Sequence, residues 1–474
     1  MSFSDLKNQY PGKIHFIGIG GIGMSAIALI LKEIGCQVQG SDLKQSDNIN
    51  NMEQKGIRCF IGHKSENISD DVVLVIKTSI IKENNPEILA SKTKNIRIIK
   101  RSDMLAIIMG QKLGITIAGT HGKTSTTAMT AIMVESANLD PMVINGGVIN
   151  YYGSNAKFGD GKFVIAESDE SDGTFVDLPS YIGAVTNIEP EHLEFYNNDF
   201  EVVKKYFIKY ITQIPADGMV AVCFDDPEIR KIYTELKNKN NVITYGTDVH
   251  SDIVVSNISF DIKGLKFDVN LKKFKEILKD ITIPAYGIHN AKNALVAIAI
   301  GKFLGFSEEQ IRKGLNNYSG VKRRFTKTGE VNGITIIDDY GHHPTEIGVV
   351  FKAAKELVGK NKLIAVFQPH KYTRTRDLFN EFCNAFSDVD IVIIADIYSA
   401  GQDKIEGINQ DSLIDGIKKA GHKKVLKLNN ENDLPILIND IAKSGDIVVC
   451  AGAGSISNWA NSLPNSLKEL NGEN

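Results

Sequence analysis

The chain is short of cysteine pairs, long apolar runs and net charge, and each shortage removes a class of function. Its five cysteines (Cys36, Cys59, Cys223, Cys383, Cys450) are scattered, with no CxxC spacing. That excludes a zinc ribbon and argues against a disulfide framework. No apolar run is long enough to span a bilayer, so no membrane insertion is expected. The first residues, MSFSDLKNQYPGKIHF, are polar where a secretory signal would be basic and then apolar. A formal charge of −3 over 474 residues supplies no field to draw nucleic acid or anionic lipid. No internal repeat or low-complexity domain is present. What remains, 42% hydrophobic and 23% charged, reads as an ordinary globular chain with a cytoplasmic location expected. Its length exceeds one compact core and points to about three domains.

Each of three stretches opens with an apolar strand, giving an α/β reading throughout. KIHFIGIGGIGMSAIALILKEIGCQVQGSD, from Lys13, reads as strand, glycine turn, helix and second strand, with helical spacing at Met24, Ile27 and Leu31. This unit is expected to span residues 1–105. A second, 106–319, repeats the strand–turn–helix order at GITIAGTHGKTSTTAMTAIMVESA. It contains further strands in FVIAESDESD, IGAVTNIEPEHLE and GMVAVCFDDPE, a hairpin turning at Lys263-Gly264, and a helix at HNAKNALVAIAIGKFLG. The third, 320–474, opens with GVKRRF and holds the strands KLIAVFQ, DIVIIAD and DIVVCAG. LKNKNNV and the tail LNGEN read as a solvated loop and a frayed end.

The strongest chemical signal is Gly119-Thr120-His121-Gly122-Lys123-Thr124, followed by Ser125, between the strand ITIA and an Ala/Met-rich helix. A strand feeding a glycine turn aims backbone N–H groups and a helix N-terminus at one point, which favours a phosphate. Lys123 adds a positive charge for the β/γ end and Thr124 a hydroxyl for Mg²⁺. Ile117 stands where the longer Walker pattern has its first glycine. Such a loop needs an acid at a neighbouring strand end. Glu167 directly follows the apolar run FVIA, while Asp169, Glu170 and Asp172 behind it read largely as a solvated loop. The next strand ends similarly and presents Asn187, Glu191 and His192.

Gly18-Ile-Gly20-Gly21-Ile-Gly23 satisfies GxGxxG, and Asp42 ends the second strand. The pattern offers a helix N-terminus to a pyrophosphate and a carboxylate to ribose hydroxyls, without identifying the nucleotide. Spacing alone leaves open a dehydrogenase with an added ATP domain or an ATP enzyme with a nucleotide-linked substrate. In the last third, Lys322-Arg323-Arg324-Phe325 lies at an interdomain junction. Asp338-Asp-Tyr-Gly-His-His-Pro-Thr-Glu346 and Gln368-Pro-His-Lys-Tyr-Thr-Arg-Thr-Arg376 both follow apolar strands, where open α/β sheets bind ligands. Arg374 could grip a carboxylate bidentately.

Taken in order, GIGGIGMSAIA, AGTHGKTSTT, AESDESD, TNIEPEHLE, GIHNAKNALVA, GVKRRF, DDYGHHPTE, QPHKYTRTRDLF and AGAGSIS resemble the Mur ligases over nearly the whole chain. The resemblance implies three domains: an N-terminal Rossmann-like one for a UDP-sugar, a central P-loop ATPase α/β one, and a C-terminal Rossmann-like α/β one for an amino acid. It implies ATP and Mg²⁺ as cofactors, UDP-N-acetylmuramate and L-alanine as substrates, and a monomer or weak homodimer. A sister activity, attaching recycled murein tripeptide to the same sugar, is the alternative. Gly18, Gly20, Gly21, Gly23 and Asp42 then fall on a uridine-diphosphate cradle, and Asn145, Gly146, Gly147 and Asn155 beside the muramyl part. Lys123 falls on the phosphate lysine, Thr124 and Glu167 on a first metal site, His192 on a second. Asn290 and Asn293 fall on the ATP-base contacts, and Arg323 or Arg324 on a phosphate-sensing arginine. Tyr340, His342, Lys371 and Arg374 fall on the amino-acid pocket, with His342 the candidate amine base and Lys371 where arginine is frequent. Related ligases use a carbamylated lysine to bridge the metals; neither Lys204 nor Lys205, downstream of His192, clearly matches that position, and the modification is not predicted.

Overall fold

A computed structural model describes residues 3–236, 241–261 and 263–472; most of the expected LKNKNNV loop and the last two residues of the tail lie outside them. The chain divides into two compact units. One comprises Met1–Ile258, Lys266–Ile283 and Lys292–Ser319, the other Ser259–Leu265, Pro284–Ala291 and Gly320–Asn474. Among the described residues no helix is long and apolar enough to cross a membrane.

The first unit opens with a five-stranded parallel sheet in the order Arg58–Ile61, Gln37–Asp42, Lys13–Ile17, Val72–Lys77, Arg97–Lys100. Strand order reverses beside Lys13–Ile17, so the glycine turn after Ile17 sits where such sheets leave a ligand crevice. Helix Ile22–Ile34 follows, and Met24, Ile27 and Leu31 are buried as their spacing predicts. Gly35, at φ +96°, closes it in the left-handed conformation that favours glycine.

A ten-stranded sheet follows in the order Glu276–Ile283, Gly264–Leu271, Ile253–Asp261, Val242–Gly246, Met219–Cys223, Ile182–Val185, Leu113–Ala118, Phe163–Glu167, Met142–Ile149, Ser154–Lys157. The strands on either side of Lys263-Gly264 are neighbours, as the hairpin reading expects. Leu113–Ala118 runs parallel between Phe163–Glu167 and Ile182–Val185, with Ile117 opposite Glu167 and Ala118 opposite Val185. All three are buried on both faces over most of their length, as parallel strands covered on both sides are. Their polar sequels, GTHGKT, SDESD and TNIEPEH, therefore leave the sheet at one edge.

In the second unit a six-stranded sheet runs Thr326–Val331, Ile334–Asp339, Ile447–Ala451, Leu363–Phe367, Ile391–Ile394, Val425–Lys427. Only the edge pair Thr326–Val331 and Ile334–Asp339 is antiparallel. Phe351, Phe367, Phe382 and Phe386 fill one face, and Ile336, Val366, Ile393 and Leu463 the other. Ala451 lies opposite both Asp339 and Phe367, which brings the loops DYGHH, QPHK and GAGS to a common end.

Candidate active site

The phosphate loop is laced to its neighbour rather than standing alone. Thr186 Oγ donates to the His121 carbonyl at 2.6 Å and Asn187 Oδ1 accepts from His121 N–H at 2.8 Å. Thr120 closes a further pair, donating its N–H to the Asn187 carbonyl and accepting from Glu189 N–H on its hydroxyl. Gly119 has φ +126°, and a Cβ there would stand 2.9 Å from Thr186 N, so only glycine lets these segments meet. Gly122, at φ +81°, starts helix Lys123–Ser136, with Thr124 buried and Ser125 half-buried in its first turn.

Lys123 folds back over the loop, donating to the Gly119 and Thr120 carbonyls at 2.6 and 2.9 Å. Its Nζ also pairs with Glu170 Oε2 at 2.7 Å. Burial pulls the ammonium down, but Glu170, then Glu167 and Asp169, more than offset that and hold it above its ordinary value. Here the acid-run reading needs correction: Glu170 is not solvated but 3% exposed. Burial, opposed by Lys123, pushes its carboxyl up to about 7. Asp169 faces Arg101 at 3.5 Å, and Asp172 caps the Thr174 N–H.

Glu167 stands at the expected strand end, and its Oε2 accepts from Gly146 N–H at 2.9 Å. One ligand atom each from Glu170, Glu191 and His192 lie within 4.8 Å of one another, a hard donor set suited to a divalent cation. His192 is held at φ +55°. The three strand ends thus bring Lys123, Glu167, Glu170, Glu191 and His192 together.

Asn145 Nδ2 donates to the Gly147 carbonyl at 2.9 Å, while its buried Oδ1 has no hydrogen-bond partner among the described residues. Asn155 is buried, and its amide donates to the Ile22 carbonyl and Ser25 Oγ, tying strand Ser154–Lys157 to the first sheet's helix. At the N-terminal turn, Gly18 has φ +84° with open space on the Cβ side. Gly21 caps helix Ile22–Ile34, and Gly23 packs against Arg101. Asp42 serves the turn itself, accepting from Gly20 N–H at 2.9 Å and Leu43 N–H at 2.7 Å. Asn290 and Asn293 sit one turn apart on helix Ile288–Phe303. A Cβ at Gly122 would lie 3.1 Å from Asn293 Oδ1, which places that amide against the phosphate loop.

The second unit gathers its own expected residues. Arg323, at φ +63°, donates to the Gly452 carbonyl at 2.8 Å, and both Arg323 and Arg324 lie over the Tyr340 ring, at 4.7 and 5.3 Å. His342 and His370 meet edge to face, and His370 stacks on Tyr398 with 9° between planes. Arg374 lies 3.4 Å from His370 Nδ1, and Lys371 caps helix Tyr372–Asp377.

Two residues here escaped the sequence reading. Asp339 accepts from Phe325 N–H at 2.7 Å and Gly341 N–H at 2.6 Å, and burial, opposed by Arg324, pushes it up to about 6. Burial, then the neighbouring His342 imidazole and the positive charges of Arg374, Lys371 and Arg323, drives His370 down to about 3. Both lay inside loops already singled out, but their burial has no local signature.

An ATP-type phosphate loop with acids and an imidazole at adjacent strand ends defines a nucleotide-dependent enzyme. Family models agree: "Mur ligase family, catalytic domain" matches residues 13–113, "Mur ligase middle domain" 117–301, and "Mur ligase, glutamate ligase domain" 323–454. The chain belongs to the Mur ligase family, with its three-domain α/β architecture. Within it, the chain is 46% identical to the UDP-N-acetylmuramate–L-alanine ligase of Bradyrhizobium sp. (strain ORS 278), covering 97% of this chain and 98% of that protein. It is 45% identical to the ligase of the same name from Agrobacterium fabrum, covering 98% of each. Among solved structures, UDP-N-acetylmuramate–alanine ligase from Thermotoga maritima superposes with a TM-score of 0.83 at 26% identity, covering 97% of this chain and all of that one. A murein peptide ligase from Psychrobacter arcticus, 22% identical and covering 96% of this chain and 98% of that one, shares the fold at a TM-score of 0.70.

Proposed function

We propose that this chain is an ATP-dependent ligase that joins L-alanine to the lactyl carboxylate of UDP-N-acetylmuramate, in peptidoglycan precursor synthesis. The observation that carries it is the meeting of Lys123, Glu167, Glu170 and His192 at three adjacent strand ends, in a chain so similar to ligases of that name.

An ionised carboxylate resists an amine because its charge repels the nucleophile and oxide leaves poorly. In the proposed reaction a lactyl carboxylate oxygen attacks the γ-phosphorus of ATP, the bond to the bridging oxygen breaks, and ADP departs. The loop amides and Lys123 take up the charge that develops on the phosphoryl oxygens. For Lys123 to do so it must exchange Glu170 for phosphate oxygens. Thr124 and Glu167 would hold one Mg²⁺, and His192, with Glu170 and Glu191 beside it, a second. Bound Mg²⁺ supplies neutralisation of phosphate charge and a fixed seat for the carboxylate. The GIGGIG turn holds the diphosphate of the sugar, and Asn145, whose buried Oδ1 has no hydrogen-bond partner among the described residues, meets the muramyl part.

The acyl phosphate is then attacked by the alanine amine, and the tetrahedral intermediate expels phosphate. Lys371 and Arg374 take the alanine carboxylate, and His342 takes the amine's proton. Asn290 and Asn293 receive the adenine, and Arg323 or Arg324 senses the γ-phosphate.

One incubation tests this reading: Mg-ATP, UDP-N-acetylmuramate and a pool of amino acids, followed by mass spectrometry. A sugar nucleotide heavier by one alanyl residue is expected. Gain of a tripeptide in preference to alanine, when both are offered, would transfer the assignment to murein recycling.

A further inference from the structure

Beneath the N-terminal glycine turn lies a buried polar cluster that no step above uses. Glu87, on helix Pro86–Thr93, is fully buried. Its Oε2 accepts from Ser41 Oγ at 2.6 Å and its Oε1 from Asn67 Nδ2 at 2.6 Å. Two imidazoles face the same Oε2, His15 through Nε2 and His63 through Nδ1, each at 3.4 Å. Gln39 completes the cluster, donating to the Asn67 carbonyl at 2.9 Å and lying 3.2 Å from His15 Nδ1. Burial pushes the Glu87 carboxyl up, but His15, then Ser41 and Asn67, more than offset it and hold it below its ordinary range.

Packing alone does not call for a charge here, because a buried ion set is often no more stabilising than apolar side chains of the same volume. What the carboxylate grips is the nucleotide cradle. The Ser41 carbonyl accepts from Gly18 N–H at 2.8 Å and Ile19 N–H at 2.9 Å, and neighbouring Asp42 takes the Gly20 N–H. His63 reaches the surface, with 10% of its side chain exposed and Nδ1 turned inward, 2.9 Å from Ser41 Oγ. Ser41 spends its one proton on Glu87, so His63 must donate from Nδ1. In the neutral ring Nε2 is then an acceptor, matched to a donor such as a ribose hydroxyl or the uracil N3–H.

We infer that Glu87 is a positioning residue for the uridine end of the substrate, acting through Ser41 on the glycine turn and through His63 on the nucleoside. The inference rests on the reading that this cradle takes a UDP-sugar.

Calorimetric titration of the whole chain with UDP, together with steady-state kinetics, tests it. Glu87→Gln keeps the shape and removes the charge. It should raise the Kd for UDP and the KM for UDP-N-acetylmuramate about tenfold, the loss of a charge-assisted hydrogen bond. The kcat at saturating sugar and the KM for ATP should stay within about twofold of wild type. In a His63→Ala background the same change should cost less than in wild type, since only the route through Ser41 remains. Unchanged UDP affinity in Glu87→Gln, or equal losses in both backgrounds, overturns the inference. So does a fall in ATP turnover at saturating sugar, which would mark a general effect on the fold. A wild-type chain that neither binds UDP nor turns over the sugar would sink the functional reading instead.

Discussion

Replacing Gly146 by alanine should separate activity from stability. Gly146 donates its N–H to Glu167 Oε2 at 2.9 Å, and a Cβ on it would stand 2.8 Å from the Glu167 Cδ and 2.9 Å from Oε1, closer still to Oε2. Those separations lie inside van der Waals contact, so the carboxylate must swing away by about 1 Å to restore a normal spacing. It can do so, because it is the free end of a flexible side chain. Gly146 is itself exposed, so water replaces the lost partner. The stability change should therefore stay near or below about 1 kcal/mol. Catalysis should be less forgiving, because displacing a group that fixes the reacting phosphoryl by about 1 Å costs on the order of a hundredfold in rate. Phosphate release measured with both co-substrates, beside a thermal melt, reads the two effects separately. A variant with wild-type turnover would show that Glu167 has no part in holding the reacting groups.

Lys123→Ala should abolish phosphate release while leaving UDP-sugar binding intact, as seen by calorimetry; retained turnover would remove the phosphate loop from the reaction. Lys371→Arg, which restores a planar fork, should lower the KM for L-alanine by about threefold, and an unaltered KM would place that side chain away from the carboxylate. His370, held down to about 3, binds its proton more weakly folded than unfolded. It therefore adds no pH dependence above about 6.5, and its stabilising share is lost as pH falls from there toward 3. Thermal midpoints at pH 7 and 5 should fall less for His370→Gln than for wild type, whereas parallel falls would contradict the assignment.

Much of this site was legible because its parts are local. ITIA, GTHGKT and the helix after them specify strand, turn and helix within one stretch, and Glu167 is placed by the strand it ends. What could not be read is which strands lie side by side. Leu113–Ala118 takes neighbours that begin at Phe163 and Ile182, and only that pairing drives Glu170 against Lys123. Without it, ESD reads as a hydrated acid run, because burial of a carboxylate depends on a partner nearly fifty positions away. Asp42 shows a subtler gap: its place at a strand end suggests a ribose contact, but its two oxygens take backbone N–H groups, one from Gly20 in the glycine turn and one from the adjoining Leu43. Asp339 and Glu87 stayed hidden for the same reason as Glu170.

The central claim is that the sugar's carboxylate is activated as an acyl phosphate. UDP-N-acetylmuramate carrying oxygen-18 in its lactyl carboxylate, turned over with Mg-ATP and L-alanine, tests it most directly. The mechanism predicts one labelled oxygen in the inorganic phosphate and none in ADP. Label in AMP, or phosphate released without any label, would contradict it.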